Sequence, residues 1–228
     1  MELLSIIIPV FNEVATIEQV ILKVLSVDFG VPCEIIIIDD GSTDGTRELL
    51  LQKNWPRTRL LLNEKNNGKG YSVRAGFNES KGDILVIQDA DLEYDPSQIK
   101  ELLKPIRAGE SKVVYGSRYL GNPKNQSLSF YLGNKALTKV FNMMFGTKLT
   151  DMETCYKALA RDVLDTITLK SNGFEIEGEI TARIAKSGFK IIEIPISYTA
   201  REKRLKKIRA RDGCKTLLVM LRIALQKG

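Results

Sequence analysis

The sequence predicts a doubly wound α/β sheet, and three observations carry that expectation. Short runs of apolar, β-branched residues alternate with helical patterns as far as Tyr115. The four successive isoleucines Ile35 to Ile38 suit a strand buried on both faces, as in a parallel sheet. Polar segments rich in small residues follow the ends of these runs, and in such sheets ligands bind beyond the C-terminal ends of the strands.

Leu3 to Ile8 reads as the first strand. It has no basic region ahead of it and soon meets Asn12 and Glu13, so it does not resemble a signal peptide. A helix follows with Ile17, Val20, Ile21, Val24 and Leu25 on one stripe. Cys33 to Ile38, Arg59 to Leu62, Asp83 to Ile87 and Lys112 to Tyr115 are the next strands. Between them Thr43 to Gln52, Tyr71 to Ser80 and Pro96 to Ile106 are helices. Pro96 after Asp95 suits a helix start, because proline at the first helical position lacks only an N–H that was unpaired anyway. The second half is less regular. Phe130 to Phe145 and Ile176 to Lys186 are predicted helices, and Lys190 to Ile196 a strand. Cys214 to Gln226 is an apolar segment with isolated basic residues, too short to span a bilayer and suited to lie on one. For it and for Phe130 to Phe145, core packing and membrane contact are equal alternatives. No repeat or clean linker divides the 228 residues, so one domain is expected.

Composition narrows the chemistry. The chain has no histidine, which excludes a Ser-His-Asp or Cys-His engine, a His-ligated zinc and a His proton shuttle. Acid–base or metal chemistry must rest on carboxylates. Cys33, Cys155 and Cys214 are far apart and suggest bystander thiols in a reducing compartment. Residues 1–200 carry 24 basic and 26 acidic side chains, whereas residues 201–228 carry 10 and 2, so the net +6 comes from the tail. Such a block suits nucleic acid, acidic headgroups, a phosphate-bearing ligand or merely a solvated face.

The strand ends hold the candidate site. After the first come Phe11, Asn12 and Glu13, and after the second Asp39-Asp40-Gly41-Ser42-Thr43-Asp44-Gly45-Thr46. Carboxylates there can accept from a base or a ribose, although turn and helix-cap chemistry explains each segment equally well. The second lacks the Gly-Lys-Ser/Thr ending of a P-loop, and Gly68-Lys69-Gly70 does not complete GxGxxG because Val73 stands in the third glycine's place. The sharpest signal is Gln88-Asp89-Ala90-Asp91-Leu92-Glu93, for which a solvated acidic loop before the Pro96 helix is the alternative to a functional site. Asp89 and Asp91 at i, i+2 in extended backbone project to the same side and repel unless a cation lies between them. Oxygen ligands favour Mg²⁺ or Mn²⁺, and magnesium keeps positions open for substrate phosphates, so a diphosphate is the natural ligand.

SIIIPVFNE, IIIIDDGSTDGT, NNGKGYSVRAGF, QDADLEYDP, VVYGSRYL, TDMETCYKAL and IPISYTAR stand in this order over residues 1–213. Together they closely resemble inverting family 2 glycosyltransferases of the dolichyl-phosphate mannose synthase-like branch. The resemblance implies a GT-A fold, a nucleotide-sugar donor carrying guanine or uracil, a divalent metal and a polyprenyl or dolichyl phosphate acceptor. It divides the domain into a nucleotide-sugar half (1–120), an acceptor half (121–213) and an amphipathic basic tail (214–228). Pro9, Phe11, Glu13, Ile38 and Asp40 match positions that hold the nucleoside. Asp89 and Asp91 match the metal-binding DxD, Ala90 lies against the donor, and Glu93 assists at the metal where the mannose synthases often have glutamine. Arg118 matches an arginine that meets phosphate, and Arg201 and Lys207 match basic residues that close over phosphates. Leu205 replaces a glycine common in the family. Many relatives carry C-terminal transmembrane helices; here peripheral contact at the cytosolic membrane face is expected.

The physics agrees with the resemblance. A lipid phosphate is an anionic nucleophile at neutral pH and needs no strong base, which removes the objection raised by the missing histidines. Two rivals remain. A family 2 enzyme with a hydroxyl acceptor needs a carboxylate base, for which one of Glu175, Glu177 and Glu179 is the candidate, although at least two of them are expected to be surface charge. A basic nucleic-acid-binding module is disfavoured, because no aromatic platform or groove-reading motif accompanies the tail.

Overall fold

A computed structural model describes residues 2–201 and 207–226, so Leu205 lies outside the described residues. Seven strands form one sheet in the order β3-β2-β1-β4-β6-β5-β7. β1 (Leu4–Val10), β2 (Cys33–Asp39), β3 (Thr58–Leu62) and β4 (Ile84–Ile87) are parallel. Ile35 to Ile38 are fully buried, because helices cover both faces of this half. Those helices are α1 (Ile17–Ser26), α2 (Thr46–Gln52), α3 (Lys69–Glu79) and α4 (Ile99–Arg107). α2 starts three residues later than the sequence suggests. Asp44 caps it by accepting from the Thr46 N–H at 3.0 Å, and Gly45 at φ 98 makes the turn before it. Asp95 caps a short 3₁₀ turn, Pro96–Gln98, that leads into α4.

The sheet departs from purely parallel order at β6 (Lys157–Ala160), which lies antiparallel between β4 and β5 (Val113–Ser117). Sequence reading misses β6 because four residues, Lys-Ala-Leu-Ala, carry no strand signal of their own. Its place comes from tertiary pairing, and Arg161 at its end binds the carbonyls of Ser80 and Gly82. β7 (Ile191–Pro195) completes the sheet parallel to β5. The remaining helices are α5 (Leu128–Phe145), short α6 (Arg161–Thr166), α7 (Ile176–Lys186) and α8 (Ala210–Leu225).

The two apolar helices whose role was open bury one side each in a second core. Phe141 of α5 and Met220 and Ile223 of α8 meet Ala182 of α7 there. Their other sides expose Leu128, Leu132 and Met143 on α5 and Leu218, Leu221 and Leu225 on α8. Among the described residues no helix is long and apolar enough to cross a membrane. The three cysteines are unpaired, with Cys33 and Cys155 buried.

Candidate active site

Loops leaving the C-terminal ends of β1, β2 and β4 converge on a cleft of about 450 Å³. The first brings Pro9, Phe11 and Glu13, the second Asp40, and the third Asp89, Ala90, Asp91 and Glu93. Arg118 enters from the end of β5, and Arg201 and Lys207 from the C-terminal segment. Ile38 alone of the expected residues stays out. It is fully buried in β2, and its Cδ1 would stand 2.8 Å from a Cβ on Gly76 of α3, so its side chain is core packing.

The acidic pair is built as its spacing suggests, with cations already beside it. The Lys69 Nζ lies 2.8 Å from Asp89 Oδ1, and the Arg201 Nη2 lies 3.2 Å from Asp91 Oδ2. Glu93 turns elsewhere. Leu92 between it and Asp91 sits at φ 60, a left-handed conformation that few non-glycine residues adopt. Glu93 accepts instead from the Tyr198 hydroxyl and from the Arg201 N–H, each at 2.8 Å. Among the described residues no three Asp, Glu or Cys groups converge to hold a metal, so Glu93 does not complete the set in this conformation. Burial first, then the charges of Asp89 and Glu93, push the Asp91 carboxyl up to about 7, with Arg201 opposing. Burial would raise Asp89 too, but Lys69 outweighs it and holds that carboxyl below its ordinary value. Two largely enclosed carboxylates, one of them costly as an anion, fit Mg²⁺ or Mn²⁺. Magnesium needs only one or two protein carboxylates and takes its other ligands from water and phosphate.

Arg118 is less free than a phosphate-gripping arginine should be. Its Nε and Nη2 each donate to Asp151 at 2.7 Å, and its N–H donates to the same carboxylate at 3.0 Å. Asp151 is fully buried, and the rings of Tyr119 and Tyr198 stand 5.6 and 5.2 Å from the guanidinium. Burial works against the charge, but Asp151 outweighs it and holds Arg118 well above the ordinary arginine value. The pair is closed and nearly neutral. Asp40 is also engaged, accepting from the N–H groups of Asn67 and Gly68 and from the Asn63 amide. Glu13 accepts from Arg201 at 2.8 Å and Lys207 at 2.6 Å, and Lys207 also reaches the Phe11 carbonyl. These bonds strap the C-terminal segment across the end of β1.

Several cleft residues escape sequence reading. Lys69 bridges Asp89 and, at 3.0 Å, Glu177. Its position follows from Gly68 and Gly70. A Cβ on Gly68 would stand 2.3 Å from the Asn172 carbonyl and one on Gly70 2.5 Å from the Ser171 carbonyl, so α3 starts against residues 171–173 only with glycine at both. Glu177 also pairs with Lys157, which is fully buried. Glu179 is buried as well and accepts from the N–H groups of Lys170 and Ser171, while Glu175 accepts from that of Gly173. Two of these three glutamates are therefore interior, contrary to the surface expectation. Glu153 lines the cleft too. Arg209 and Arg211, at the start of α8, line its mouth; among the described residues no carboxylate lies within ion-pairing distance of either side chain. Asp151, Glu153 and Lys157, inside TDMETCYKAL, and Lys69, inside NNGKGYSVRAGF, lay in motifs already visible.

Comparison with known proteins gives three findings. The model of the family "Glycosyl transferase family 2" matches residues 5–168. Curated relatives include the low-salt glycan biosynthesis hexosyltransferase Agl6 of Haloferax volcanii, 29% identical over 204 residues, and the dolichol-phosphate mannosyltransferase of Pyrococcus furiosus, 29% identical over 219 residues. The matches cover 87% and 91% of this chain but only 48% and 59% of those proteins, so the chain spans about half the length of these relatives. Among solved structures, glucosyl-3-phosphoglycerate synthase of Mycobacterium tuberculosis superposes with a TM-score of 0.80 at 20% identity, over 100% of this chain and 81% of that one. The same enzyme in complex with Mn²⁺, UDP and glucosyl-3-phosphoglycerate gives 0.77 at 19% identity, over 100% and 81%. At that identity the likeness establishes the fold, GT-A.

Proposed function

The chain belongs to glycosyl transferase family 2, and from that premise and the cleft we propose that it moves a hexose from a GDP- or UDP-sugar to a polyprenyl or dolichyl phosphate, with inversion. The observation that carries this reading is one juxtaposition. The Asp89–Asp91 pair shares its cleft with the basic side chains Arg209 and Arg211 and with the N-terminal end of α5. Phe130 and Asn134 of α5 line the cleft, and Leu128 and Leu132 beside them are exposed. A diphosphate over the acidic pair, an acceptor phosphate at the mouth and an apolar chain along α5 satisfy all three. The relatives support it in kind: one is named a dolichol-phosphate mannosyltransferase, and the M. tuberculosis structures hold Mn²⁺ or Mg²⁺ with UDP.

Asp89 and Asp91 hold the divalent metal, which when bound supplies Lewis-acid stabilisation of the departing diphosphate, worth several kcal/mol. Arg201 and Lys207 neutralise the donor phosphates as they exchange Glu13 for them. Pro9, Phe11, Glu13 and Asp40 flank the nucleoside, and Ala90 lies against the donor. An acceptor phosphate oxygen attacks the anomeric carbon, the bond from that carbon to the diphosphate breaks, and the electron pair leaves with the diphosphate. No base is needed, which agrees with Glu175, Glu177 and Glu179 being engaged elsewhere. Arg118, closed onto Asp151, orients the cleft wall through Tyr119 and Tyr198. The exposed apolar sides of α5 and α8, with the basic tail, make peripheral contact with an anionic leaflet, at about 1 kcal/mol per basic residue. The assignment fits the cytosolic face, where nucleotide sugars are met.

The test is transfer from labelled GDP-mannose, UDP-glucose and UDP-galactose with Mn²⁺, offering a polyprenyl phosphate or hydroxyl acceptors. Product on the lipid phosphate is expected. Transfer confined to a hydroxyl acceptor would overturn the acceptor assignment.

A further inference from the structure

Among the described residues, Glu153 is the acidic side chain of the cleft with neither a role in the mechanism above nor a hydrogen bond or ion pair of its own. Its Oε1 is closed off from solvent, and no hydrogen-bond donor among the described residues reaches it. The charged groups around it are occupied with each other: Lys157 with Glu177, and Arg118 with Asp151. Oε1 lies next to Gly178 of α7, where a Cβ would touch it at 3.8 Å and would meet Thr216 of α8 at 2.4 Å. Burial pushes the Glu153 carboxyl up to about 7; Glu177 and Asp151 add to the rise, and Lys157 and Arg118 oppose it.

A carboxyl oxygen shut off from water without a partner is costly unless a ligand supplies one. Phosphate is the wrong ligand, because both neighbouring ion pairs are closed and an ionised Glu153 would repel it. A sugar hydroxyl suits either protonation state, donating to the carboxylate or accepting from the acid. Position agrees. Lys69 ties Asp89 to Glu177, and Lys157, the partner of Glu177, also acts on Glu153, so the cleft floor runs continuously from the acidic pair to Glu153. A hexose on a diphosphate held at Asp89 and Asp91 lies over this stretch.

We propose that Glu153 hydrogen-bonds a hydroxyl of the donor's hexose and so selects the sugar. The proposal rests on the reading of the cleft as a nucleotide-sugar site.

The experiment titrates UDP, GDP, UDP-glucose, UDP-galactose and GDP-mannose, each with Mn²⁺, into the wild type, Glu153→Gln and Glu153→Ala, by calorimetry. The nucleoside diphosphate should bind all three proteins within twofold. The preferred nucleotide sugar should lose about tenfold in Glu153→Ala, and its advantage over the other hexoses should shrink in both variants. Glu153→Gln keeps the volume and should melt at or above the wild-type temperature at pH 7, so it carries the test if the alanine variant folds poorly. If nucleotides bind and neither variant changes the ranking of the sugars, or if all ligands weaken alike, the assignment of Glu153 is overturned and the site reading stands. If neither UDP nor GDP binds the wild type, both fall together.

Discussion

Replacing Glu177 by glutamine separates the phosphate-acceptor reading from its hydroxyl-acceptor rival. Glu177 is 4% exposed and faces Lys69 at 3.0 Å and Lys157, which is fully buried. Its removal leaves the buried Lys157 ammonium with no carboxylate within ion-pairing distance among the described residues. Breaking one partner from a buried pair costs about 3–5 kcal/mol. In a domain of this size each kcal/mol moves the melting temperature by about 2–4 °C, so Glu177→Gln should melt about 6–20 °C lower. The double variant Glu177→Gln, Lys157→Met should recover much of the loss, because an apolar residue then replaces the stranded charge. Catalysis should survive: at 15–20 °C, where the variant is folded, turnover on a polyprenyl phosphate should stay within about fivefold, since an interaction common to both states is removed rather than a proton acceptor. The assay is calorimetric melting paired with lipid-phosphate transfer at low temperature. An unchanged melting temperature with turnover down by about 10²–10⁴, the range of a lost general base, would refute the reasoning and make Glu177 the base of a hydroxyl transferase.

Asp89→Ala and Asp91→Ala should each abolish the Mn²⁺-dependent stabilisation by a nucleoside diphosphate, which at a hundredfold excess over Kd is worth about 2.7 kcal/mol, or about 5–10 °C; a full shift persisting in both variants would remove the metal assignment. Arg118→Ala should lower stability by about 3–5 kcal/mol, because it strands the fully buried Asp151, and Arg118→Ala with Asp151→Ala should be less destabilised than the single variant; denaturant melts giving the reverse order would contradict the closed pair. Glu153 gives a pH signature. With its folded value raised to about 7 from 4.5, the native state holds the proton more tightly, and wild-type stability falls as pH rises between those values, by at most about 3 kcal/mol. The advantage of Glu153→Gln should therefore open between about pH 4.5 and 7 and stay level above, and a pH-independent difference in urea melts would count against it. Leu132→Asp with Leu225→Asp should weaken cosedimentation with anionic vesicles at low salt and leave nucleotide binding intact; retained vesicle binding would exclude the α5–α8 surface.

The half of the fold that carries the acidic pair was legible because its strands carry their own signal. Ile35 to Ile38 announce a strand buried on both faces, and Asp89 and Asp91 follow β4 at a spacing that needs no tertiary knowledge. What failed was set by contacts distant in sequence. β6 exists because β4 and β5 flank it, not because Lys157–Ala160 favours a strand. Arg118 looks like an available cation until the fold brings Asp151 against it, thirty-three residues away. Glu177 and Glu179 fall in a helical pattern with charges at surface-like spacing, and only the approach of α3 and the loop at 170–173 turns that face inward. Ile38 failed for a smaller reason: its side chain packs against α3 rather than pointing toward the cleft.

The partnerships also explain why the cleft suits a metal–diphosphate better than a nucleic acid. Lys69 and Lys157 are tied to Glu177, Arg118 to Asp151, and Arg201 and Lys207 to Glu13. With these pairs closed, the floor keeps Asp91, which must share Arg201 with Glu13, and Glu153, carboxyls that burial makes costly as anions, and the mouth keeps Arg209 and Arg211. Charge is therefore graded, acidic within and basic at the opening. A polynucleotide laid along the cleft would set its phosphates against the acidic floor, where Lys69, Arg118, Arg201 and Lys207 are already engaged with carboxylates. A nucleoside diphosphate arriving with its divalent ion would bring the compensation with it: Asp89 and Asp91 would hold the ion, and the phosphates would draw Arg201 and Lys207 from Glu13. The basic mouth remains for a second anion, and the exposed leucines of α5 lie beside it, a combination that a lipid-borne phosphate satisfies and a free sugar hydroxyl does not require.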